Sequence, residues 1–452
     1  MTTHKKLMSL AVAAAVTGNS IAVQAAGFAL IEQNASGLGN AFAGQAASAQ
    51  DASTVFFNPA GMTMLPGKQV VFAAHAIRPK AEFTNTGSAA APLQPFGDNG
   101  GDAGDWAWVP NAYLSWQLSP QWYAGVGINA PFGLKTEYNT TWIGRFYAVE
   151  SELKTINVNP SIAYKINDQV SIGGGISWQR ADATLSNMVN YSGAAFQAGG
   201  APALAAVGGA GAQGLATVTG DDDSWGWNVG ALFNLGPTRI GITYRSAISY
   251  TLSGTVAFSG VPAVPGPLGA ALAANFANGP VQADLKLPGS ASWSIFHQLN
   301  PKWDLLGDIT WTDWSTLNAL NVVRSGNGAL LSTTPLNWKD TWRVSAGANY
   351  HYNNEWTLRF GVAYDQTPTG DLDRTPRIPD ESRTWLAFGA QYRISKAAAL
   401  DFGYAHLFMS DPTVNLCGAA TAATAGCLGK NSLVGAYDAD VNIVSAQFRY
   451  SF

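Results

Sequence analysis

Between Trp342 and Tyr352 apolar and polar residues take turns along the chain. Trp342, Val344, Ala346, Ala348, Tyr350 and Tyr352 share one parity, and Arg343, Ser345, Gly347, Asn349 and His351 share the other. The next stretch repeats it, with Trp356, Leu358, Phe360, Val362 and Tyr364 set against Thr357, Arg359, Gly361, Ala363 and Asp365. Successive side chains of a strand face opposite ways, so each stretch predicts a strand with one greasy face and one polar or small face. A β-sandwich would alternate likewise, with its apolar side inward; the length of the series argues against it. Fourteen such segments lie near 68–84, 108–118, 122–130, 145–166, 169–186, 224–235, 238–257, 281–299, 302–324, 337–352, 355–366, 383–395, 398–409 and 439–452.

The connections alternate in length. Short ones fall at 118–121, 166–169, 235–238, 299–302, 352–355 and 394–397, rich in Asn, Pro, Ser and Gly at the spacing of tight hairpins. Long ones run near 85–107, 131–144, 187–223, 258–280, 325–336, 367–382 and 410–438. Short periplasmic turns and long outer loops are the pattern of a bacterial outer-membrane barrel, and an even strand number leaves both chain ends in the periplasm. The last segment places Phe448, Tyr450 and Phe452 against Gln447, Arg449 and Ser451, so the chain ends on an aromatic. Closing that strand on the first leaves no unpaired amide in lipid, and a final aromatic resembles the signal read by the barrel-assembly machinery.

Composition narrows the class further. Charged residues make up 12% of the chain, against roughly 25% in soluble proteins, while there are 16 Trp, 15 Tyr, 20 Phe and 49 Gly. Beyond the N-terminus no run reaches the ~18 apolar residues of a spanning helix. The net charge of −4 and the lack of a basic run predict no nucleic-acid partner. At the start, Lys5 and Lys6 precede an apolar run from Leu7 to Val16 and an A-x-A-like site at Val23-Gln24-Ala25. That is the layout of a secretory signal, too short and too broken by Thr17, Gly18 and Asn19 for a membrane helix. Export, with a mature chain beginning near Ala26, is the expectation.

Two long loops are greasy where loops are usually polar. Residues 193–218 and 261–280 are mostly Ala, Gly, Val, Leu and Pro. Packing on one another as short helices would account for this, and so would a landing patch for an apolar ligand; the two are compatible. Cys417 and Cys427 fall in the last long loop, and in an exported protein this predicts one local disulfide. With Asp411 alone nearby, no metal site is expected.

Residues 26–67 do not alternate like a membrane strand, and their small residues suit close packing inside a wide barrel. The expected organisation is therefore a signal over 1–25, a hatch over 26–67 and a barrel over 68–452. The fold class is all-β, a 14-stranded antiparallel transmembrane β-barrel plugged by its N-terminal hatch.

In these residues the chain resembles the outer-membrane transporters for long-chain fatty acids and aromatic hydrocarbons of the FadL/TodX type. The likeness begins with Ala26-Gly27-Phe28, Ser36-Gly-Leu-Gly39, Asp51-Ala52 and Asn58-Pro59-Ala60. It continues through Trp108-Val-Pro-Asn111, Asn129-Ala-Pro-Phe-Gly-Leu134, Trp225-Gly-Trp-Asn228, Thr243-Tyr-Arg-Ser246, Trp338-Lys-Asp340 and Ile378-Pro-Asp380. Their order along nearly the whole mature chain is what makes them specific. The resemblance implies a hatch motif near the kink at Asn58, Pro59 and Ala60, and an N-terminal Phe28 that enters the ligand pocket. It also implies an inward kink of the third strand that opens a side passage, here at Asn129, Pro131 and Gly133. Pro lacks the ladder amide and Gly permits unusual dihedrals, although an ordinary strand end would use the same residues.

The implied activity is passive uptake of a hydrophobic molecule with release sideways through the wall, without cofactor. We expect a monomer whose partners are that ligand, membrane lipid and the assembly machinery. One departure bears on the cargo. Fatty-acid members use basic pocket residues, but Asn187 and Thr333-Thr-Pro-Leu336 stand at the corresponding stretches. Arg180, Arg245, Arg343 and Arg359 are the alternatives, the last three on the polar parity of their strands. A general porin and an outer-membrane hydrolase are the rival classes. The mature chain has only His75, His297, His351 and His406, none in a nucleophile-like setting, which speaks against the hydrolase.

Overall fold

The computed structural model describes residues 27–417, 427 and 429–452. The leader expected over 1–25, and Ala26, lie outside the described residues. Fourteen staves form the wall. They are β1 (Lys68–Asn85), β2 (Ala107–Gln117), β3 (Trp122–Asn129, resuming at Gly133–Glu137), β4 (Glu150–Lys165), β5 (Val170–Asn190), β6 (Gln213–Leu235) and β7 (Thr238–Arg245, resuming at Ile248–Phe258). Then follow β8 (Gly279–Leu287 and Ser290–Asn300), β9 (Trp303–Thr312 and Ala319–Arg324), β10 (Leu330–Pro335 and Thr341–His351) and β11 (Trp356–Asp365). β12 (Arg383–Arg393), β13 (Ala398–Met409, with Thr413–Leu416) and β14 (Leu433–Ser451) complete the series. β14 pairs antiparallel with β1 from Gln69↔Ser451 to Asn85↔Gly435, which closes the barrel and removes its edges.

The alternation sorts side chains as lipid requires. Val344 and Val362 are 50% and 51% exposed, while Arg343 and Arg359 between them are 6% and 2% exposed. Greasy side chains face out and polar ones face in, the reverse of a soluble core. Near the short turns aromatic pairs ring the wall, as in Trp122–Tyr164, Trp303–Tyr350 and Trp356–Tyr392, with ring centres 4.6, 4.7 and 4.8 Å apart. Amphipathic rings favour that interface.

Strand extents differ from the sequence reading on the outer side. β6 begins at Gln213 rather than near 224, β5 runs to Asn190 rather than 186, and β14 starts at Leu433 rather than 439. Asn190 pairs with Gln213, so this hairpin continues well above the alternating region. Beyond the hydrocarbon neither face meets lipid, and the greasy parity that marked the strands fades. Conversely, residues 145–149 turn instead of extending, and β4 begins at Glu150.

The two apolar loops fold as helices α4 (Tyr191–Ala206) and α5 (Gly266–Asn275), named after the three short interior helices below. Ala195, Ala203, Val207 and Leu272 make their shared core, so the loops do pack on one another. Cys417 and Cys427 are bonded, with Cα atoms 5.6 Å apart, across the last outer loop.

Residues 27–66 lie inside the barrel. They form α1 (Ala35–Leu38), α2 (Gln45–Ser48), α3 (Thr54–Phe57) and a 3-10 turn (Pro59–Met64). Asn34 caps α1, accepting from Gly37 N, and its amide donates to Ser53 Oγ at 2.6 Å. Ser36 Oγ and Gln447 Nε2 both donate to Asp51, tying the segment to β14. Small residues allow this proximity: a Cβ on Gly361 would stand 2.0 Å from the Asn40 carbonyl carbon.

Candidate ligand cavity and wall seam

The seam between β2 and β3 has two unlike halves. From Gln117↔Tyr123 to Ala112↔Ile128 it is an ordinary antiparallel ladder. There it stops. Asn129 keeps its pairing with Asn157 of β4, Ala130, Pro131 and Phe132 interrupt the strand, and β3 resumes at Gly133 paired only with β4, from Gly133↔Lys154 to Glu137↔Glu150. β2 above Ala112 therefore has no partner in β3. Pro131 offers no amide with which to continue the ladder.

The N-terminal segment occupies that slot. Ala29 forms an antiparallel bridge to Phe132. Leu30 N donates to Pro131 O at 2.8 Å, and Gly133 N donates to Phe28 O at 2.9 Å. Gln33 Nε2 donates to Ala130 O at 3.0 Å, while Gln33 Oε1 accepts from Asn129 Nδ2 at 2.8 Å and Tyr113 OH at 3.2 Å. Asn111 Nδ2 donates to Glu32 O at 2.9 Å on the β2 side. Six bonds thus join residues 28–33 to both lips of the slot. The Glu32 carboxyl beside them is buried, which pushes it up to about 7, with Arg383 and Arg343 pulling the other way.

The start of the same segment is held by aromatics. The Phe28 ring meets Trp314 at 4.9 Å, Trp338 at 5.5 Å and Phe132 at 6.2 Å between centres. Gly27 has a φ of 64°, and a Cβ on it would stand 2.8 Å from the Trp314 ring. Its N–H donates to Asp380 Oδ2 at 3.0 Å, and Thr367 Oγ1 donates to the same oxygen.

Beside this cage lies a cavity of about 140 Å³. Leu30, Ile31, Phe56, Phe57, Pro131 and Phe132 make one side of it apolar. Thr243, Ser290, Ser292, Thr310, Thr312 and Thr341, from β7 to β10, line it with hydroxyls, together with Arg245 and Arg343.

Comparison with known proteins decides the family. Residues 16–452 match the model described as outer membrane protein transport protein (OMPP1/FadL/TodX). The chain belongs to this family. The long-chain fatty acid transport protein of Salmonella typhi is 31% identical over 418 residues, 90% of this chain and 92% of that one. The protein of that name from Escherichia coli K12 is 30% identical over 426 residues, covering 90% and 93%. Among solved structures, a Pseudomonas aeruginosa FadL homologue superposes with a TM-score of 0.83 at 25% identity, covering 94% of this chain and all of that one. The Pseudomonas putida toluene transporter TodX, at 18% identity and a TM-score of 0.65 over 94% and 99%, shares the fold. Membership places this barrel in the outer membrane as a transport protein.

The family's expected residues can now be located. Phe28 sits in the aromatic cage, and Asn129, Pro131 and Gly133 bracket the break in β3. Asn58 lies against a different stretch of wall: its Nδ2 donates to Ala231 O of β6 at 3.0 Å and to Ala46 O at 2.7 Å. Its Oδ1 accepts from Ala60 N, capping the 3-10 turn that Pro59 begins. The motif thus fastens the segment to β6, and residues 28–33 hold the kink. Gly230 makes room, since a Cβ there would stand 2.1 Å from Asn58 Oδ1.

The arginines divide. Arg245 and Arg343 line the cavity, but each also holds the N-terminal segment: Arg245 donates to Phe56 O at 2.9 Å, and Arg343 to Ala41 O at 2.7 Å. Arg359 does not line the cavity. It is buried against Asp401 and donates to Gln50 Oε1 at 3.1 Å. Arg180 pairs with Asp182, Asp221 and Asp223 on the exposed wall, outside the lumen. His351 bridges Asp304 at 2.8 Å and Thr357 at 3.2 Å. Sequence reasoning passed over Gln33, Trp314 and Asp380 as site residues. Asp380 and Trp338 stood in quoted motifs without a role, because their partners are more than 300 residues away.

Proposed function

We propose that this protein is a passive channel that takes up hydrophobic molecules, long-chain fatty acids or aromatic and aliphatic hydrocarbons, and releases them sideways through the β2–β3 seam. One observation carries the proposal. Residues 28–33 fill the wall slot and at the same time place Phe28 in the cage beside the cavity, so one movement of this hatch vacates a pocket and opens a passage.

Magnitudes support the coupling. The six slot bonds contribute about 1 kcal/mol net each. Burying a CH₂ is worth about 0.8 kcal/mol, so some eight or more buried methylenes rival the whole set. At about 140 Å³ the cavity has room for a single aromatic ring, a volume of about 150 Å³ being enough for benzene. A longer chain needs the space that Phe28 occupies, which favours displacement of the hatch by the cargo itself. Exit into lipid then avoids returning apolar surface to water. A general porin would need an open lumen, whereas residues 27–66 occupy this one, and low ion conductance is expected. The decisive test is uptake of a fatty-acid, alkane and monoaromatic panel by cells with and without the protein. If no compound enters more slowly in its absence, the proposal fails.

A further inference from the structure

We propose that a cleft in the outer face of the wall, between β8 and β9, binds the sugar head group of a membrane glycolipid. The site requires the outer-membrane setting of the barrel and is independent of transport.

The cleft exists because a ladder fails here too. β8 and β9 pair from Asn300↔Trp303 up to Ser290↔Thr312, and then again from Ala283↔Val322 to Val281↔Arg324. Between these ladders residues 284–289 face the longer stretch 313–321, bridged by Asp313 N donating to Gly289 O at 3.0 Å. The surplus coils into a 3-10 turn (Trp314–Thr316), whose Trp314 is fully buried against Phe28. What this leaves in the wall is a cleft of about 410 Å³, within the ~300–1,000 Å³ of small-ligand sites.

Its height on the wall is fixed by two observations. Asp284 and Lys286 are exposed while Leu285 and Leu287 are buried, so both charges stand on the lipid-side parity. An outward charge is costly at the bilayer midplane and cheap near the interface. Just below, on the same side, Trp293 and Trp342 lie with ring centres 6.2 Å apart, and Trp311 pairs with Trp342 across the β9–β10 ladder. Such a belt marks the edge of the hydrocarbon, so the cleft opens on the head-group layer.

The lining selects the head group. Ser249, Thr251, Asp284, Lys286, Thr316 and Asn318 present hydroxyls, an amide, one carboxylate and one ammonium to the cleft. Thr251 Oγ1 donates to Asp284 at 2.9 Å and Thr316 Oγ1 to Asp313 O at 3.1 Å, whereas the side chains of Ser249, Lys286 and Asn318 have no partner among the described residues. Lys302 and Lys396 lack ion pairs as well, so the lysine matters for where it stands rather than for being unpaired. Asp284 and Lys286 are the only charges in the lining and cancel, which gives a bare phosphate little net attraction. A ring of hydroxyls, each both donor and acceptor, can satisfy such a mixed set. A glycolipid places its sugar here while its chains lie on Ile295, Ile309 and Val344, which are exposed below.

The test uses full-length protein freed of lipid and held in detergent, titrated with radiolabelled deep-rough lipopolysaccharide or radiolabelled phosphatidylglycerol. The wild type is expected to hold lipopolysaccharide at least about tenfold more tightly, which two or so sugar hydrogen bonds supply. Lys286→Leu/Asn318→Leu should weaken lipopolysaccharide about tenfold and leave phosphatidylglycerol within about threefold. Lys80→Leu, on the far side of the barrel, should change neither. In the wild type lipopolysaccharide, and not phosphatidylglycerol, should slow acylation of the Lys286 amine severalfold, with Lys80 as internal reference. Equal affinity for the two lipids, equal loss with Lys80→Leu, or equal slowing at Lys286 and Lys80 would each overturn the proposal. So would free core oligosaccharide competing as well as the intact glycolipid, since the cleft would then serve the outer medium and not the membrane. The acylation measurement needs no variant and decides the matter even if the double substitution fails to fold.

Discussion

Below Ala112 the seam between β2 and β3 is joined by backbone bonds between two fixed staves. Above it the same two staves are joined through a third party, residues 28–33, tethered to the wall at one end by the Gly27–Asp380 bond and further along by Asn58. The lower half can open only by tearing the barrel. On the route proposed above, the upper half opens when this short segment shifts, and the wall on either side stays intact. A barrel satisfies its amides in lipid by closure, so a side passage requires a removable partner at one place. On the proposed route the break at Pro131 is that place.

The largest effect should come from locking the upper half. Ala29 and Phe132 face each other as a non-hydrogen-bonded antiparallel pair, whose Cα atoms stand about 4.5 Å apart, within reach of a disulfide. Oxidised Ala29→Cys/Phe132→Cys protein should lose at least about nine-tenths of its uptake, regained with a thiol reductant. The corresponding pair in the lower half, Leu114→Cys/Val126→Cys, should transport normally when oxidised, because on the proposed route that ladder stays closed. Equal inhibition by both locks would erase the distinction between the halves.

Next in size is Asn58→Ala. It removes two donated bonds and one accepted bond from a fully buried residue, at a cost of about 2–4 kcal/mol to hatch seating. Planar-bilayer conductance should rise severalfold; an unchanged, quiet trace would mean that the hatch is held without it. A smaller effect is expected from pH. Glu32 holds its proton more firmly in the buried slot than when free, its carboxyl being raised from 4.5 to about 7. The seated state is therefore favoured in acid and loses stability as pH rises through that window. Spontaneous opening, read as conductance, should be more frequent at about pH 8 than at about pH 5, and Glu32→Gln should flatten the difference. Smallest of all, Cys417→Ser with Cys427→Ser should leave uptake unchanged, since the bridge closes only ten residues of the last long loop and touches neither lip of the seam on the proposed route. A loss of uptake there would tie the outer loops to the gate.

Much of the wall was legible because lipid imposes a strict parity. Trp342, Val344 and Ala346 announce a strand and its outward face without reference to any other residue, and Leu299–Lys302 announces a turn. The ends of β5, β6 and β14 were not legible, since above the membrane Thr217, Gly220 and Asp222 answer to no apolar medium. The candidate site was half legible. Phe28 and Pro131 stood out through family resemblance and through the missing amide of proline. Gln33 and Asp380 did not, because each works through partners set by closure of the barrel.

The sequence by itself determined an exported, fourteen-stave barrel, the face of each strand, the place where one ladder must fail and the small residues that suit the interior. Those properties are local: they follow from side-chain period, turn chemistry and the absence of an amide at one residue. Only the tertiary structure decided what fills the failed ladder, that Asn58 fastens to β6, and that Arg245 and Arg343 face the cavity while Arg359 is spent on Asp401. Parity tells a side chain to point into the lumen, but not what it meets there. That depends on how 40 residues of packed interior chain lie against a closed wall, through contacts such as Gly27 to Asp380 that span 353 positions.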